Sequence, residues 1–354
     1  MKILEIFTFA GGYKGGVATM VLNYIQHKNV FKENNCIIDH LNIQPTFVNK
    51  SSKISNVLYI FTQRREVKRF LKNNRYDKIH IHTSREFLFL KDLLLARMIN
   101  RKFNLPVILT IHVGDINTVY NRIEWFKSLS IKFLNEYVEK VIFLSNTILH
   151  DYIARGLDQS HCTVLYNFHT FNNIITVNKA NNVLRLLYVG AIHKEKGICE
   201  LLKALCSLKM NFHLNVCGLQ TDPRIVNIVT DLKNKLGDKV TFCGYIDGIE
   251  KEKIFKNSDI LILPSYHEGL PLVIMEALGA GCAIISTKVG GIPEILSDNN
   301  VRWVEVASVS SLVNVLSTIS LSDINTMKCE NLNLGKSFTI DSHILKLCEI
   351  YKSR

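Results

Sequence analysis

The 354 residues are 47% hydrophobic and 21% charged, a globular balance, and they are numerous enough for two domains of ordinary size. A formal net charge of +12 leaves nucleic acid, an anionic membrane face or phosphorylated substrates as partners, or simply a solvated basic surface. No nucleic-acid-binding module is visible and no apolar run has the length of a membrane helix; nine scattered cysteines without a Cys-x-x-Cys pair point to reduced thiols in a cytosol, against a disulfide framework or a zinc site.

The first stretch, MKILEIFTFAGG, has one lysine and an apolar run broken by Glu5, so Ile3 to Phe9 reads as a strand and not as a signal peptide. Gly11-Gly12-Tyr13-Lys14-Gly15-Gly16 follows, then a helix from about Val17 to His27. Such a turn brings backbone close to a bound group; its spacing is not the dinucleotide fingerprint, and a plain tight turn is the other reading. Cys36 to Leu41 and Val57 to Phe61 read as strands, and Gln63 to Asn73 as a basic helix. Lys78 to His82 reads as a strand with His80 and His82 on one face, a metal pair without an obvious third ligand. Phe87 to Phe103 is a helix rich in Leu, Arg and Lys.

Val107 to Ile111 is a buried strand, and His112 leaves it at the carboxyl end, where open parallel sheets bind ligands. A neutral imidazole there could donate to a hydroxyl or share a leaving proton; a buried structural histidine is the alternative. Lys140 to Leu144 is a further strand, and the N-terminal half ends after Thr163 to Asn167. Phe168 to Asn182 is Asn-rich without a firm period and reads as a linker.

Leu184 to Val189 opens a second sheet, followed by the loop Gly190 to Gly197 and a helix through Leu208. His213 to Cys217 and Val240 to Tyr245 are strand segments, and Lys251 to Ser258 a short helix. Ile260 to Leu263 is an apolar run suited to a strand buried on both faces. Tyr266 to Gly269 form a loop, Pro271 stands where a helix should begin, and Gly279 and Gly281 close that helix before a strand from Ala283 to Ser286. The helix is apolar all round, yet Glu276 sits within it, and a buried carboxylate needs donors. Glu268 lies eight positions earlier, and the helix start offers the N–H groups of Gly269, Leu270 and Leu272 to phosphate or sugar oxygens. Two acids and free amides suit a ligand with several hydroxyls and an anionic end, as a sugar nucleotide has.

This stretch, PSYHEGLPLVIMEALGAGCAIIST with GGIPE behind it, resembles the paired-glutamate motif of retaining glycosyltransferases, and glycosyltransferase family 4 in particular. The resemblance implies the α/β GT-B fold: two Rossmann-like domains with parallel sheets facing across a cleft. It implies residues 1–168 as the acceptor-side domain, 183–337 as the nucleotide-sugar-binding domain, and 338–354 as a terminal helix crossing back to the first. On this reading Glu276 holds the ribose hydroxyls, while Glu268 and the amides of Gly269, Leu270 and Leu272 hold the sugar hydroxyls and diphosphate. Lys196 stabilises the leaving diphosphate, His112 reaches the donor sugar, and Gly16 approaches from the other domain. Tyr245 or Ile246 meets the base. Lys91, Arg97 and Arg101 lie where family members bind acceptors, or they form a solvated helix face. Glu294 suits the start of a helix, a structural role.

The chain departs from the family pattern in two places. Ala191 replaces the usual loop arginine, so either Lys196 acts alone or His193, Lys194 or another basic group assists. After Cys217 stands Gly218-Leu219 in place of Gly-x-Gly-Pro. The implied activity is transfer of a hexosyl unit from a UDP- or GDP-type donor to an acceptor hydroxyl with retention, by a front-face route. It would serve cell-surface polysaccharide or lipopolysaccharide synthesis, with a glycan or lipid-linked acceptor. The expected location is the cytoplasm, with contact at the inner membrane face. No Asp-x-Asp pair is present, so no metal or other cofactor is expected beyond the nucleotide sugar. The alternatives are a sugar-nucleotide epimerase or phosphorylase on the same fold, or a catalytically inactive sugar-nucleotide-binding module.

Overall fold

The structure, a computed structural model, describes residues 1–8, 15–43, 53–83, 87–112, 124–171 and 183–353. The chain divides into two compact units, Met1–Tyr166 together with Asp341–Arg354, and Asn167–Ile340. In the first, β1 (Lys2–Phe7), β2 (Ile37–Asn42), β3 (Lys78–Thr83), β4 (Val107–Ile111), β5 (Lys140–Phe143) and β6 (Cys162–Val164) form one sheet. Its order is β2-β1-β3-β4-β5-β6, and every neighbouring pair is parallel. The connecting helices are α1 (Gly16–Gln26), α2 (Lys28–Glu33), α3 (Lys53–Asn73), α4 (Phe87–Phe103), α5 (Glu124–Tyr137) and α6 (Asn146–Ile153). Strands β3 and β4 are buried at every position, as expected of parallel strands covered on both faces.

In the second unit β7 (Leu184–Val189), β8 (Phe212–Cys217), β9 (Val240–Gly244), β10 (Ile260–Leu263), β11 (Ala283–Thr287) and β12 (Val301–Val304) pair in the order β12-β11-β10-β7-β8-β9, again all parallel. Helices α7 (Ile198–Cys206), α8 (Val226–Leu236), α9 (Gly248–Lys256), α10 (Leu272–Ala280), α11 (Ile292–Ile295), α12 (Val309–Thr318) and α13 (Leu321–Gly335) connect them, and α14 (Ile340–Lys352) ends the chain. Each unit is a Rossmann-like α/β layer structure, and the pair is the GT-B fold. The strand order of the second sheet reverses between β7 and β10, and at such a switch point the loops leaving the two strands open a crevice.

Several expectations are corrected. Val57 to Phe61 is helical and forms part of α3. A short apolar run fits strand and helix alike, and no glycine or proline between 53 and 73 interrupts a helix that Val67 and Leu71 anchor in the core. Pro271 is the residue before α10, so the helix begins at Leu272. The start of the supposed linker is packed: Phe168, His169 and Phe171 are buried, and His169 Nε2 bonds the Gly335 carbonyl at 2.9 Å. Residues 172–182 lie outside the described residues, as do residues 9–14 of the glycine-rich turn.

Candidate active site

The loops leaving β7 and β10 carry the expected site residues of the second unit. After β7 a short turn over Lys194–Lys196 ends at Gly197, whose φ is +69°. A Cβ there would fall 2.1 Å from the Pro264 carbonyl oxygen, so only glycine lets this loop press on the end of β10. The Tyr266 amide donates to the Glu195 carbonyl at 2.8 Å and completes the seam. Lys196 Nζ therefore sits 2.6 Å from Glu268 Oε1, with the two side chains 28% and 11% exposed.

The Glu268–Pro271 loop is fixed through its carbonyls. The Gly291 amide donates to the Gly269 oxygen at 2.6 Å, and Asn167 Nδ2 donates to that of Leu270. Gly290, at φ +56°, brings the following loop so near that a Cβ would lie 2.1 Å from the Glu268 carbonyl oxygen. Thr287 Oγ1 donates to the Ser265 carbonyl at 2.6 Å and ties β11 to the same loop. The amides of Gly269, Leu270 and Leu272 have no partner among the described residues, and no side chain caps α10. The result is an uncapped helix start, where the macrodipole favours an anion, flanked by a lysine–glutamate pair.

Glu276 is 6% exposed within α10. Lys251 Nζ on α9 lies 2.5 Å from its Oε1, while Oε2 is buried without a hydrogen-bond partner among the described residues. Sequence reasoning found the acid but missed this lysine. Tyr245 is half-buried after β9, and Ile246 is buried. Around the substituted loop position, Tyr188 Oη donates to the Ala191 carbonyl at 2.8 Å. His193 Nδ1 accepts the Glu195 amide at 3.2 Å, and Lys194 is exposed.

In the first unit Gly16 opens α1, and His112 follows β4. His112 Nε2 lies 3.1 Å from His82 Nδ1 with the rings stacked. Desolvation, then the neighbouring His82, His80 and His343, holds the His112 imidazole well below its usual range, so it is neutral near pH 7. Lys91 is not on a solvated face: it is buried, with Nζ 2.7 Å from Thr8 Oγ1 and 2.9 Å from Asp92 Oδ1. Arg97 lies over the Phe133 and Tyr137 rings and Arg101 pairs with Glu136 at 3.2 Å, so both bind α4 to α5.

Two family models match the chain: "Glycosyltransferase Family 4" over residues 33–169, and "Glycosyl transferases group 1" over 171–331. It belongs to the family 4 type of glycosyltransferases. An uncharacterized 41.2 kDa protein in the cps region of Klebsiella pneumoniae is 23% identical over 381 residues, covering 99% of this chain and 100% of that one. Among solved structures, Anabaena HepE in complex with UDP and glucose superposes with a TM-score of 0.73 at 16% identity. The apo form of the lipopolysaccharide outer core galactosyltransferase WaaB does so with 0.73 at 18%. Both cover 100% of either chain, and at these identities they establish the fold.

Within this glycosyltransferase, three side chains that hold or form these clusters escaped the sequence reading. Lys251 stands 25 positions before Glu276 on another helix, and nothing in its local pattern marks it. Asn167 was read only as the end of the N-terminal half, yet it holds the Leu270 carbonyl. Glu5 looked like a polar break in an apolar run, and it is fully buried in β1 beside His40, His80 and His82. Burial pushes the Glu5 carboxyl up, but the three imidazoles outweigh it and hold the group well below the usual carboxylate range.

Proposed function

We propose that the enzyme moves a hexosyl unit from a nucleotide-diphosphate sugar of UDP or GDP type to an acceptor hydroxyl, with retention of configuration. The observation that carries this reading is the half-satisfied Glu276: one oxygen is held by Lys251, and the other is buried and open. An open carboxylate oxygen is a costly arrangement unless a ligand hydroxyl completes it. The ribose of the donor is that ligand in this reading. The diphosphate lies at the first turn of α10, on the amides of Gly269, Leu270 and Leu272, and Tyr245 flanks the base. Glu268 accepts from the sugar hydroxyls. As the glycosidic bond breaks, charge builds on the diphosphate, and the Lys196 ammonium offsets it. In the front-face route the departing phosphate oxygen takes the acceptor proton, and neutral His112 donates to the donor sugar.

Lys196 and the helix start supply the positive charge in this scheme, so transfer proceeds equally with and without added Mg²⁺ or Mn²⁺. Cell-surface polysaccharide or lipopolysaccharide synthesis is the proposed setting, with a glycan or lipid-linked acceptor; the cps-region relative supports it. No helix among the described residues is long and apolar enough to cross a membrane. The net charge of +12 supports peripheral contact with the anionic inner face from the cytoplasm. Ala191 favours one second reading, a module that binds the donor without turning it over.

Released UDP or GDP, measured across a panel of donors and acceptors, tests the proposal. Lys196→Ala should lower kcat by about 10²–10³ while nucleotide affinity changes much less. Donor binding with no turnover by the wild type for any acceptor would favour the inactive module. Full activity of the variant would refute the role of Lys196.

A further inference from the structure

The first unit contains a second constellation whose own members have no assigned part in the transfer chemistry. In the parallel registers of β2, β1 and β3, His40 stands opposite Glu5 and Glu5 opposite His80, so the three lie in one row on one face of the sheet. His82 is two residues further along β3, on the same face. Glu5 Oε1 lies 3.6 Å from His80 Nδ1 and 3.9 Å from His82 Nε2, and the three ligand atoms are within 4.8 Å of one another. Tyr351, from α14 of the same unit, places its hydroxyl 2.7 Å from His80 Nδ1 and 3.0 Å from Glu5 Oε1. Tyr351 Oη, Glu5 Oε1 and His80 Nδ1 are thus 2.7 to 3.6 Å apart, and His82 Nε2 stands 3.9 Å from Glu5 Oε1. Tetrahedral zinc, with bonds of about 2.0–2.2 Å, sets its ligand atoms about 3.3–3.6 Å apart, a spacing these side chains reach by small shifts.

Among the described residues this cluster is only partly satisfied. Glu5 Oε2, His82 Nε2 and both nitrogens of His40 are buried without hydrogen-bond partners among those residues, and His40 Nε2 stands 3.1 Å from Glu5 Oε2 without the geometry of a bond. The outer shell, by contrast, is built. His80 Nε2 meets Thr110 Oγ1 at 2.7 Å, and His82 Nδ1 meets His112 Nε2 at 3.1 Å. Metal-bound histidines ordinarily have their second nitrogen engaged in this way, which fixes tautomer and ring orientation.

We propose that Glu5, His80 and His82 bind a divalent cation of the zinc class, with Tyr351 at the fourth corner and His40 steadying the free oxygen of Glu5. Oxygen and imidazole ligands suit Zn²⁺ better than Mg²⁺, which demands six oxygens in near-octahedral array. The ion clamps β1 and β3 to the terminal helix and is structural; it reaches the proposed transfer chemistry only through the hydrogen bond between His82 and His112. With Nε2 on the ion, His82 must carry its proton on Nδ1 and donate to His112 Nε2, so His112 keeps its own proton on Nδ1.

The test uses the untagged full-length chain, stripped with a chelator and titrated with Zn²⁺ or, as a control, Mg²⁺. Bound zinc is counted by elemental analysis, and Tm is followed. The proposal expects near-stoichiometric zinc, a Tm raised by zinc and not by magnesium, and loss of both responses in Glu5→Gln and His82→Asn. Cobalt in the wild type provides a readout that needs no variant: visible d–d absorption of a tetrahedral ion without a near-ultraviolet thiolate band. Zinc uptake well below stoichiometric, an equal Tm gain in Glu5→Gln, or a thiolate band placing the ion on cysteines would each overturn it. In the first case the cluster is a proton-held histidine–carboxylate network.

Discussion

At the scale of single residues, the two oxygens of Glu276 have different fates. Oε1 is committed to Lys251 and Oε2 is left for a ligand. Lys251 therefore orients the acid as well as neutralising it, because a carboxylate with one oxygen pinned presents the other in a single direction. Removing the lysine alone strands a charge in a buried position. Lys251→Ala should cost about 2–3 kcal/mol in urea unfolding, and Glu276→Gln should recover most of that in the Lys251→Ala background. Simple additivity of the two changes would show that the pair is not coupled. Lys196 and Glu268 are more exposed, at 28% and 11%, so breaking them should move turnover far more than stability.

At the scale of elements, the site is a set of loops held by close backbone approach. Gly290→Ala forces a Cβ to within 2.1 Å of the Glu268 carbonyl oxygen at φ +56°. Gly237→Ala is a control for positive φ without a clash, since its φ is +54° and nothing lies within 4 Å. Both should lose about 1–3 kcal/mol for a backbone conformation that residues other than glycine rarely adopt, and Gly290→Ala should lose more because its Cβ meets backbone. Only Gly290→Ala should also weaken donor binding, measured by titration calorimetry; equal effects on binding would deny the loop contact its role. Beneath these loops Asp259 ties β10 to β7 and α13. It receives Arg185 at 2.8 Å and Lys328 at 3.1 Å. Burial raises the Asp259 carboxyl, but Arg185 and Lys328 outweigh that and leave it below its usual value. A depressed folded-state value means the contribution is fully present above the unfolded pKa of about 4 and fades as pH falls through the folded one. Acid unfolding of Asp259→Asn should therefore show a shallower loss of stability below pH about 4 than the wild type; identical slopes would contradict the assignment.

At the scale of the molecule, the legible part was what alternation and glycine punctuation encode. The bounds of β4 and α4 fall where the pattern put them, and Glu268 and Glu276 stand out because acids within apolar surroundings are conspicuous. What stayed hidden depends on topology. The row His40–Glu5–His80 exists only because the strand order runs β2-β1-β3, and no spacing along the chain records that order. Lys251 meets Glu276 through the packing of α9 beside α10. The apolar run Val57 to Phe61 carried strand-like residues, but uninterrupted helix-compatible sequence on both sides decided its state. A linker reading of Phe168 and Phe171 failed because polar neighbours masked two aromatic anchors.

The central claim is that a donor ribose completes Glu276. Calorimetric titration of UDP and of GDP into the wild type and Glu276→Gln addresses it most directly. The account predicts saturable binding of one of the two nucleotides to the wild type and an affinity lower by about tenfold or more in Glu276→Gln, from the loss of about 1.5–3 kcal/mol for a charged hydrogen bond. Unchanged affinity in a variant that melts at the wild-type temperature would contradict it.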